Sequence, residues 1–293
     1  MILRLHYSAW LLLNYMVMER RNIFLLAVAA LFVLSSCKKD AGGAVTDPSN
    51  FSLSYGDSIL YQKLTAGDYI VSPQNNLPGN YTAFPEGIEI NDRTGAINLS
   101  KSETGLRYKI NFMPDGSTKE YSTTVLLSGI NYLDAFYYLS KNDTVALPVY
   151  NGNPQASLPL SNSGTAFDIG LGCNNEGIAV SIKDGKINLA QTIRNGFFGR
   201  YPDNGTRREF ELKYKIDDKS QQFVSTLKIK LYYFETMNDV TPDLIQLLQD
   251  RQGTVFGPNM NAFAGELMNS PAGIGGIAKA AKPRPPCIFI IGR

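Results

Sequence analysis

The hydrophobic and polar positions of this chain alternate in short runs from about residue 55 to residue 236. In the run 106–112 every second residue is apolar, and the run 210–216 follows the same rule. Alternation with a period of two is typical of β-strands that have one buried and one solvated face. A polar turn containing Asp follows each run, so the pattern predicts antiparallel hairpins.

One segment of the alternating region occurs twice. Residues 87–99 read GIEINDRTGAINL, and residues 177–189 read GIAVSIKDGKINL. Each copy has a short apolar run, a polar turn with Gly and a second run, as in a β-hairpin. The flanking matches, in the same order, are Asp57–Tyr61 with Asp143–Leu147 and Tyr108–Leu127 with Phe210–Ile229. A period of about 90 residues is too long for a solenoid unit and indicates tandem domains.

We therefore predict an all-β fold: two tandem immunoglobulin-like β-sandwiches, a short C-terminal helix and an irregular tail. The helix is expected to begin at Thr241 and Pro242, because Thr caps helices and Pro suits their first turn, and to end near Gly253. Residues 287–291 are an apolar β-type run that we expect to add to an exposed sheet edge. The predicted ranges are a first sandwich at 55–140, a second at 141–237, and the helix, tail and terminal strand at 238–293.

Four aromatic residues lie just before the predicted boundary between the two sandwiches. They are Tyr132, Phe136, Tyr137 and Tyr138. They form either the last strand of the first sandwich or a rigid apolar seam, since tandem sandwiches with a short junction need apolar contacts to hold one angle.

The N-terminus predicts export and a lipid anchor. Arg20 and Arg21 precede an apolar run at 23–34, which is too short to span a bilayer but suits the core of a signal peptide. Leu34–Cys37 then resembles the lipobox of bacterial lipoproteins. The resemblance implies that Cys37 is acylated, becomes the first residue of the mature protein and anchors it to a membrane. An ordinary buried cysteine after a secretory signal is the other interpretation.

The same resemblance sets the limits of the leader. We predict a signal peptide at 1–36 and a lipid-anchored tether at 37–54, which opens with polar and small residues. Either residues 1–17 are a start-site extension, with translation beginning at Met18, or the whole leader is one longer signal peptide.

Charge and composition exclude several classes of function. The net charge is +2, and it falls near zero without the predicted signal peptide, so no excess of basic residues favours sequence-independent binding of nucleic acid. The single histidine, His6, lies in the leader, which removes histidine-based catalysis and zinc sites from the mature chain. Asp92, Asp217 and Asp218 lie in predicted turns, where Asp suits the backbone geometry. We predict no enzyme, no catalytic residues, no cofactor and no metal site.

The second copy of the repeat is longer than the first after Leu189. Binding residues often lie on sandwich loops, where aromatic rings and Arg or Asn side chains contact sugars or peptides. The alternative is that the two phenylalanines of this loop fold back and cover the edge of the sandwich. The candidate ligand-binding residues are Arg194, Phe197, Phe198, Arg200 and Tyr201.

Cys173 and Cys287 are the cysteines that remain beside the lipidated one. An oxidising envelope permits a disulfide between them, which would fasten the C-terminal run to the second sandwich. Two unpaired buried thiols are the alternative, and the sequence leaves both open.

Two further resemblances suggest a role. Residues 83–90, AFPEGIEI, and 93–97, RTGAI, resemble bacterial immunoglobulin-like and cadherin-like modules; the second copy lacks the Pro and has Asp184 in place of the Thr. This resemblance implies a sandwich fold with an adhesive or spacer role and no catalytic residues. The sequence around Cys37, SSCKKD, is similar to lipoproteins of Bacteroidota, which implies the outer membrane, facing either the periplasm or the cell surface.

Together these features predict a lipid-anchored envelope or cell-surface module that binds polysaccharide or another surface protein. The alternative is a structural accessory subunit of an outer-membrane transporter or assembly, with no ligand of its own.

Overall fold

The computed structural model describes residues 51–160, 164–221, 223–251, 278–279 and 284–293. The predictions for the signal peptide, most of the tether and Cys37 lie outside the described residues. Within the described ranges β-strands form most of the regular structure, beside three short α-helices. The prediction of an all-β fold is confirmed.

The first half of the structure is a two-layer sandwich. Its strands are β1 (Ile59–Leu60), β2 (Ile70–Val71), β3 (Gly79–Phe84), β4 (Glu89–Asn91), β5 (Ile97–Asn98), β6 (Leu106–Pro114) and β7 (Tyr121–Leu127). One sheet has the order β1-β7-β6-β3. The facing sheet has the order β16-β4-β5-β2, in which β16 (Ala278–Lys279) comes from near the end of the sequence and is antiparallel to β4. The alternating apolar residues of β6, such as Tyr108 and Ile110, are fully buried against Ile97 of β5. The hydrophobic alternation read from the sequence therefore marks the core side of this sheet.

The second half is built around a larger sheet. Its order is β12-β14-β15-β17-β9, and two-stranded pairs, β10 with β13 and β8 with β11, lie beside it. The strands are β8 (Ile130–Tyr132), β9 (Ala135–Tyr138), β10 (Val145–Ala146), β11 (Pro148–Tyr150), β12 (Ala166–Phe167), β13 (Ile187–Asn188), β14 (Thr206–Lys215), β15 (Ser225–Phe234) and β17 (Cys287–Ile291). The helices are α1 (Gly172–Asn175), α2 (Leu189–Arg194) and α3 (Pro242–Arg251). The predicted C-terminal helix is thus confirmed as α3.

The repeated hairpin has the same turn in both copies. The Gly95 amide donates to the Asn91 carbonyl at 2.8 Å, and ninety residues later the Gly185 amide donates to the Ser181 carbonyl at 2.9 Å. Both glycines have positive φ, +67° and +69°, which L-residues with a side chain rarely adopt. The prediction of a hairpin used twice is confirmed at the level of individual hydrogen bonds.

A tyrosine fastens each of these turns. The Tyr55 hydroxyl donates to the Gly95 carbonyl at 2.6 Å, and the Tyr132 hydroxyl donates to the Gly185 carbonyl. Tyr132 of β8 therefore occupies in the second half the place that Tyr55 occupies in the first. Five residues further on, Tyr137 of β9 corresponds to Leu60 of β1.

This correspondence changes the assignment of the aromatic run before residue 140. Tyr132 and Tyr137 are buried in the second core, which also includes Ile130. Strand β9 belongs to the five-stranded sheet, and its residues Phe136 and Tyr138 pack on the face opposite to Tyr137. The run is neither the last strand of the first sandwich nor a seam, because its residues form the first strands of the second half.

One of the two flanking sequence matches does not join equivalent strands in the structure. Val145 of β10 pairs with Asn188 of β13, and the equivalent pair in the first half is Ile70 of β2 with Asn98 of β5. Strand β10 is therefore the counterpart of β2. The match of Asp57–Tyr61 with Asp143–Leu147 reflects two runs of similar local pattern rather than equivalent strands.

The C-terminal strand does not lie at a sheet edge, which corrects the sequence-based expectation. Strand β17 lies between β15 and β9 and is parallel to both. All five of its residues are buried. Ile288 and Ile290 contribute to the core shared with β14 and β15, while Phe289 packs on the other face, under Leu248 of α3. A strand covered on both faces needs apolar residues at every position, as this run has.

We predict that Gly95→Ala destabilises the protein more than Gly116→Ala. Both glycines have positive φ, so alanine costs about 1 kcal/mol of backbone strain at either position. At Gly95 the added Cβ would also lie 2.5 Å from the Tyr81 ring, whereas at Gly116 no atom lies within 4 Å. The free energy of unfolding in urea measures the difference. Equal losses for the two variants would contradict the tight packing of this turn.

Candidate functional site

A cleft opens where the first sandwich meets the turn between β14 and β15. Its volume is about 190 Å³. Tyr55, Tyr61 and Tyr69 line it together with Lys63 from the same half and Lys219 from the β14–β15 turn. Tyr61 directly follows β1, the buried Tyr55 precedes that strand, and Tyr69 directly precedes β2. The cleft thus combines three aromatic rings with charged side chains from both halves of the structure.

The charged side chains of the cleft lie close to its rings. The Lys63 ammonium is 5.3 Å from the centre of the Tyr69 ring, and the Lys219 ammonium is 5.8 Å from the centre of the Tyr61 ring. Burial, and then the nearby carboxylates of Asp218 and Asp57, raise the pKa of Tyr61. The Tyr61 phenol is therefore neutral near pH 7, where it can donate and accept hydrogen bonds.

Asp218 holds this turn in place beside the cleft. Its carboxylate accepts hydrogen bonds at 2.9 Å from the Ser128 hydroxyl and at 2.9 Å from the Tyr150 hydroxyl. The Asp218 carboxylate also accepts from the Ser220 amide at 2.8 Å, as expected of Asp in a turn. These bonds join the β14–β15 turn to Ser128, which lies between β7 and β8, and to Tyr150 of β11, and so position Lys219.

The candidate loop after Leu189 contains both buried and exposed residues. Phe197 and Phe198 are only 2% and 7% exposed and belong to the second core. The Arg208 guanidinium covers the Phe197 ring at 4.5 Å. The two phenylalanines therefore cover the sandwich, as the alternative interpretation held, and they are not available to contact a ligand.

The remaining candidate residues of this loop face solvent. Arg194 at the end of α2 donates to the Gln191 side chain at 2.8 Å. Tyr201 is 79% exposed, and the Arg200 guanidinium lies 5.5 Å from its ring. Arg200 and Tyr201 form a small exposed pair.

The candidate disulfide between Cys173 and Cys287 is not found, and the alternative of two unpaired buried thiols is the one observed. Both thiols are free and buried. Cys173 packs in the core on one face of the five-stranded sheet, and Cys287 packs on the other face with Phe289. Because the sheet lies between them, the two thiols cannot meet while the sheet is intact. Burial raises the pKa of both thiols, which lowers the reactivity of each thiol while it is buried in the folded protein.

A buried group of charges at the start of β17 escaped the sequence analysis. The Asp134 carboxylate pairs with Arg251 of α3 at 3.1 Å and with Arg284 at 3.2 Å. It also accepts a hydrogen bond from the Cys287 amide at 2.7 Å. The side chains of Arg284 and Asp134 are only 7% and 6% exposed. The sequence carries one signal for this group, Arg284, which lies three residues before the apolar run that begins at Cys287. Nothing in the sequence indicates that Asp134 is its partner.

A second carboxylate supports the same segment. Glu103 of the first half accepts from the Arg284 backbone amide at 3.1 Å and from the Asn131 side chain at 3.0 Å. Burial raises the pKa of Glu103 to about 7, although the bond from Asn131 and the charge of Arg284 act in the opposite direction.

Metal-binding clusters and membrane-spanning helices are both absent from the described ranges. No group of three or more His, Cys, Asp and Glu side chains lies close enough together there to hold a metal ion. Nor do those ranges contain a helix of the length and apolar character needed to cross a membrane.

These features define an all-β chain with two sandwich-like halves and a tyrosine-lined cleft. No family model matches the chain, and no curated protein sequence matches it. Two crystal structures of human protocadherin-24 EC1-2 align with it at 8% identity and a TM-score of 0.21. They cover 62% of this chain and 94% and 96% of their own chains. Similarity this weak supports no conclusion about this chain.

We predict that Glu103→Gln changes the pH dependence of stability. In the folded protein Glu103 binds its proton more tightly than in the unfolded chain, where the pKa is near 4.5. Its contribution is therefore complete below about pH 4.5 and is lost as the pH rises to about 7. Relative to the variant, the wild type should lose free energy of unfolding across that window.

Urea unfolding at a series of pH values measures this difference, with Glu176→Gln, at an exposed carboxylate, as the control. A constant difference between Glu103→Gln and the wild type from pH 4 to pH 8 would contradict the assignment.

Proposed function

We propose that this protein is a lipid-anchored envelope or cell-surface module that binds polysaccharide through the cleft at Tyr61 and Tyr69. The observation that carries the proposal is the combination, in one concave site, of these two partly exposed tyrosines with Lys63 and Lys219. Tyr55 also lines the cleft, but it is buried and its hydroxyl is bonded to the Gly95 carbonyl. Aromatic rings offer flat apolar faces to the C–H face of a sugar, and hydroxyl and ammonium groups offer hydrogen bonds to its oxygens.

The size and charge of the cleft narrow the class of ligand. A volume of about 190 Å³ is below the roughly 300–1,000 Å³ of sites that enclose a whole small molecule. A single ring of a longer chain fits such a site better than an enclosed free ligand. Among the lining residues the ammonium groups of Lys63 and Lys219 outnumber the Asp57 carboxylate. The Asp218 carboxylate beside the cleft is already engaged by the Ser128 and Tyr150 hydroxyls, so the two ammonium groups favour polysaccharides that carry carboxylate or sulfate groups.

The remaining parts of the proposal rest on the sequence. The resemblance of Leu34–Cys37 to a lipobox supports a lipid anchor at Cys37 and a place at the outer membrane, facing the periplasm or the cell surface. The resemblance of residues 83–97 to adhesive modules supports a binding role without catalysis, cofactor or metal. Another surface protein is the second kind of ligand that the same cleft could contact.

We expect Tyr61→Ala and Tyr69→Ala each to weaken binding to acidic polysaccharide about tenfold, because a buried aromatic contact contributes roughly 1–2 kcal/mol. The test uses the full chain with Cys37→Ser, to remove the lipid, on a panel of acidic and neutral polysaccharides. Lys219→Ala should weaken binding to the acidic members most, and less so at high salt.

Tyr201→Ala is the matched control, because this tyrosine is exposed and lies outside the cleft. Its binding should equal that of the parent chain. Binding that is unchanged in Tyr61→Ala and Tyr69→Ala, or no binding to any polysaccharide, would reject the proposal and favour a structural accessory subunit.

A further inference from the structure

The two halves of the structure differ in how their first and last strands meet. In the first half β1 pairs directly with β7, in parallel, with Ile59 opposite Leu126. In the second half the counterpart of β1 is β9, as the matching tyrosine bonds show, and the counterpart of β7 is β15. These two strands do not pair, because β17 lies between them.

Strand β17 therefore has no counterpart in the first half. It pairs in parallel with Lys230–Phe234 of β15 on one side and with Ala135–Tyr138 of β9 on the other. We call the space between these two segments the acceptor slot. The repeat shows that a sandwich of this kind closes without an inserted strand, so β17 is an addition to the second half.

The acceptor slot selects its strand by shape. Ile288 and Ile290 fill one core, and Phe289 fills the other, where its ring stacks on Tyr232 at 4.7 Å and lies 5.1 Å from Phe136. Each face accepts large apolar side chains at alternate positions, so one polar residue in the strand would remain buried without a partner.

The slot also selects its strand by charge. Asp134 accepts from the Cys287 amide and pairs with Arg284, so the slot favours a strand that is preceded by an arginine. The sequence Arg284-Pro-Pro-Cys-Ile-Phe-Ile-Ile meets every one of these requirements. The strand that fits the slot best is the C-terminal strand of this same chain.

We propose that the acceptor slot is an interaction site for the C-terminal strand of a second copy, so that two copies associate by exchanging β17. Residues 252–283, which include the two-residue strand β16 that pairs with β4, separate β17 from α3. Exchange of an identical strand recreates every contact of the slot between copies, which makes it a route to association at low cost in free energy. The added strand gives affinity through backbone bonds on both edges.

The test is a covalent trap for the exchanged strand. Position 230 of β15 is the register partner of Cys287, and neighbouring strands lie about 4.8 Å apart, within the range of a disulfide. One tagged full-length chain, the acceptor, carries Lys230→Cys and Cys287→Ser. A second chain with a different tag, the donor, keeps Lys230 and Cys287. Both carry Cys37→Ser and Cys173→Ser, so that the lipid and the other thiol play no part.

When the two chains are co-expressed, we expect a disulfide-linked heterodimer that is purified through both tags and separates on reduction. Ile290→Asp in the donor should abolish it, because the aspartate cannot enter the core. A single chain with Lys230→Cys and its own Cys287 is the positive control, since its internal disulfide shows that the two positions can be linked.

Two results would overturn the proposal. One is the absence of the heterodimer while the positive control forms its internal disulfide. The other is a heterodimer of equal yield with the Ile290→Asp donor, because that would show collision of thiols without insertion of the strand. Neither result depends on whether the cleft binds polysaccharide.

Discussion

The second half of the structure depends on one backbone constraint: both edges of a fully buried strand must be hydrogen-bonded. Strand β17 satisfies the facing edges of β9 and β15, and those two strands satisfy both of its own edges. Buried amide and carbonyl groups without partners are costly, so the sheet is complete only with this strand in place. The same strand gives side chains to cores on both sides of the sheet.

The charged groups at the start of β17 fit this constraint. Asp134 joins the strand to α3 through Arg251 and to the preceding segment through Arg284. Glu103 brings the first half of the structure into the same contact. Removing one partner of a buried ion pair commonly costs about 3–5 kcal/mol, because the other charge then stays buried without a partner. The intact pair adds little net stability, since burying both charges is itself costly. This group therefore defines where the strand begins rather than adding greatly to total stability.

Much of the local structure could be predicted from the sequence, because it depends on neighbouring residues. The twin hairpins follow from alternation and from Gly95 and Gly185, and α3 follows from Thr241, Pro242 and an apolar stripe. The correspondence of Tyr55 with Tyr132 could not be found this way, since one tyrosine in a variable segment is no signal until its hydrogen bond is seen. The position of β17 was also out of reach, because strand pairing is non-local and an apolar run fits an edge or an interior equally well.

In the candidate functional site, too, local features could be predicted from the sequence and non-local contacts could not. The sequence marked Phe197 and Phe198 because they lie on a long connection, but burial is decided by the fold, and Arg208 and the second core enclose both rings. The tyrosine-lined cleft combines residues more than 150 positions apart, Tyr61 and Lys219 among them, so no local pattern revealed it.

The central claim is that β17 is an integral interior strand of the second sheet. Hydrogen–deuterium exchange of the backbone amides of residues 288–291 in the intact protein tests it most directly. If the strand is held on both edges, these amides exchange only through global unfolding, as slowly as those of β15. Exchange much faster than in β15, at the rate of a fraying terminus, would contradict the claim.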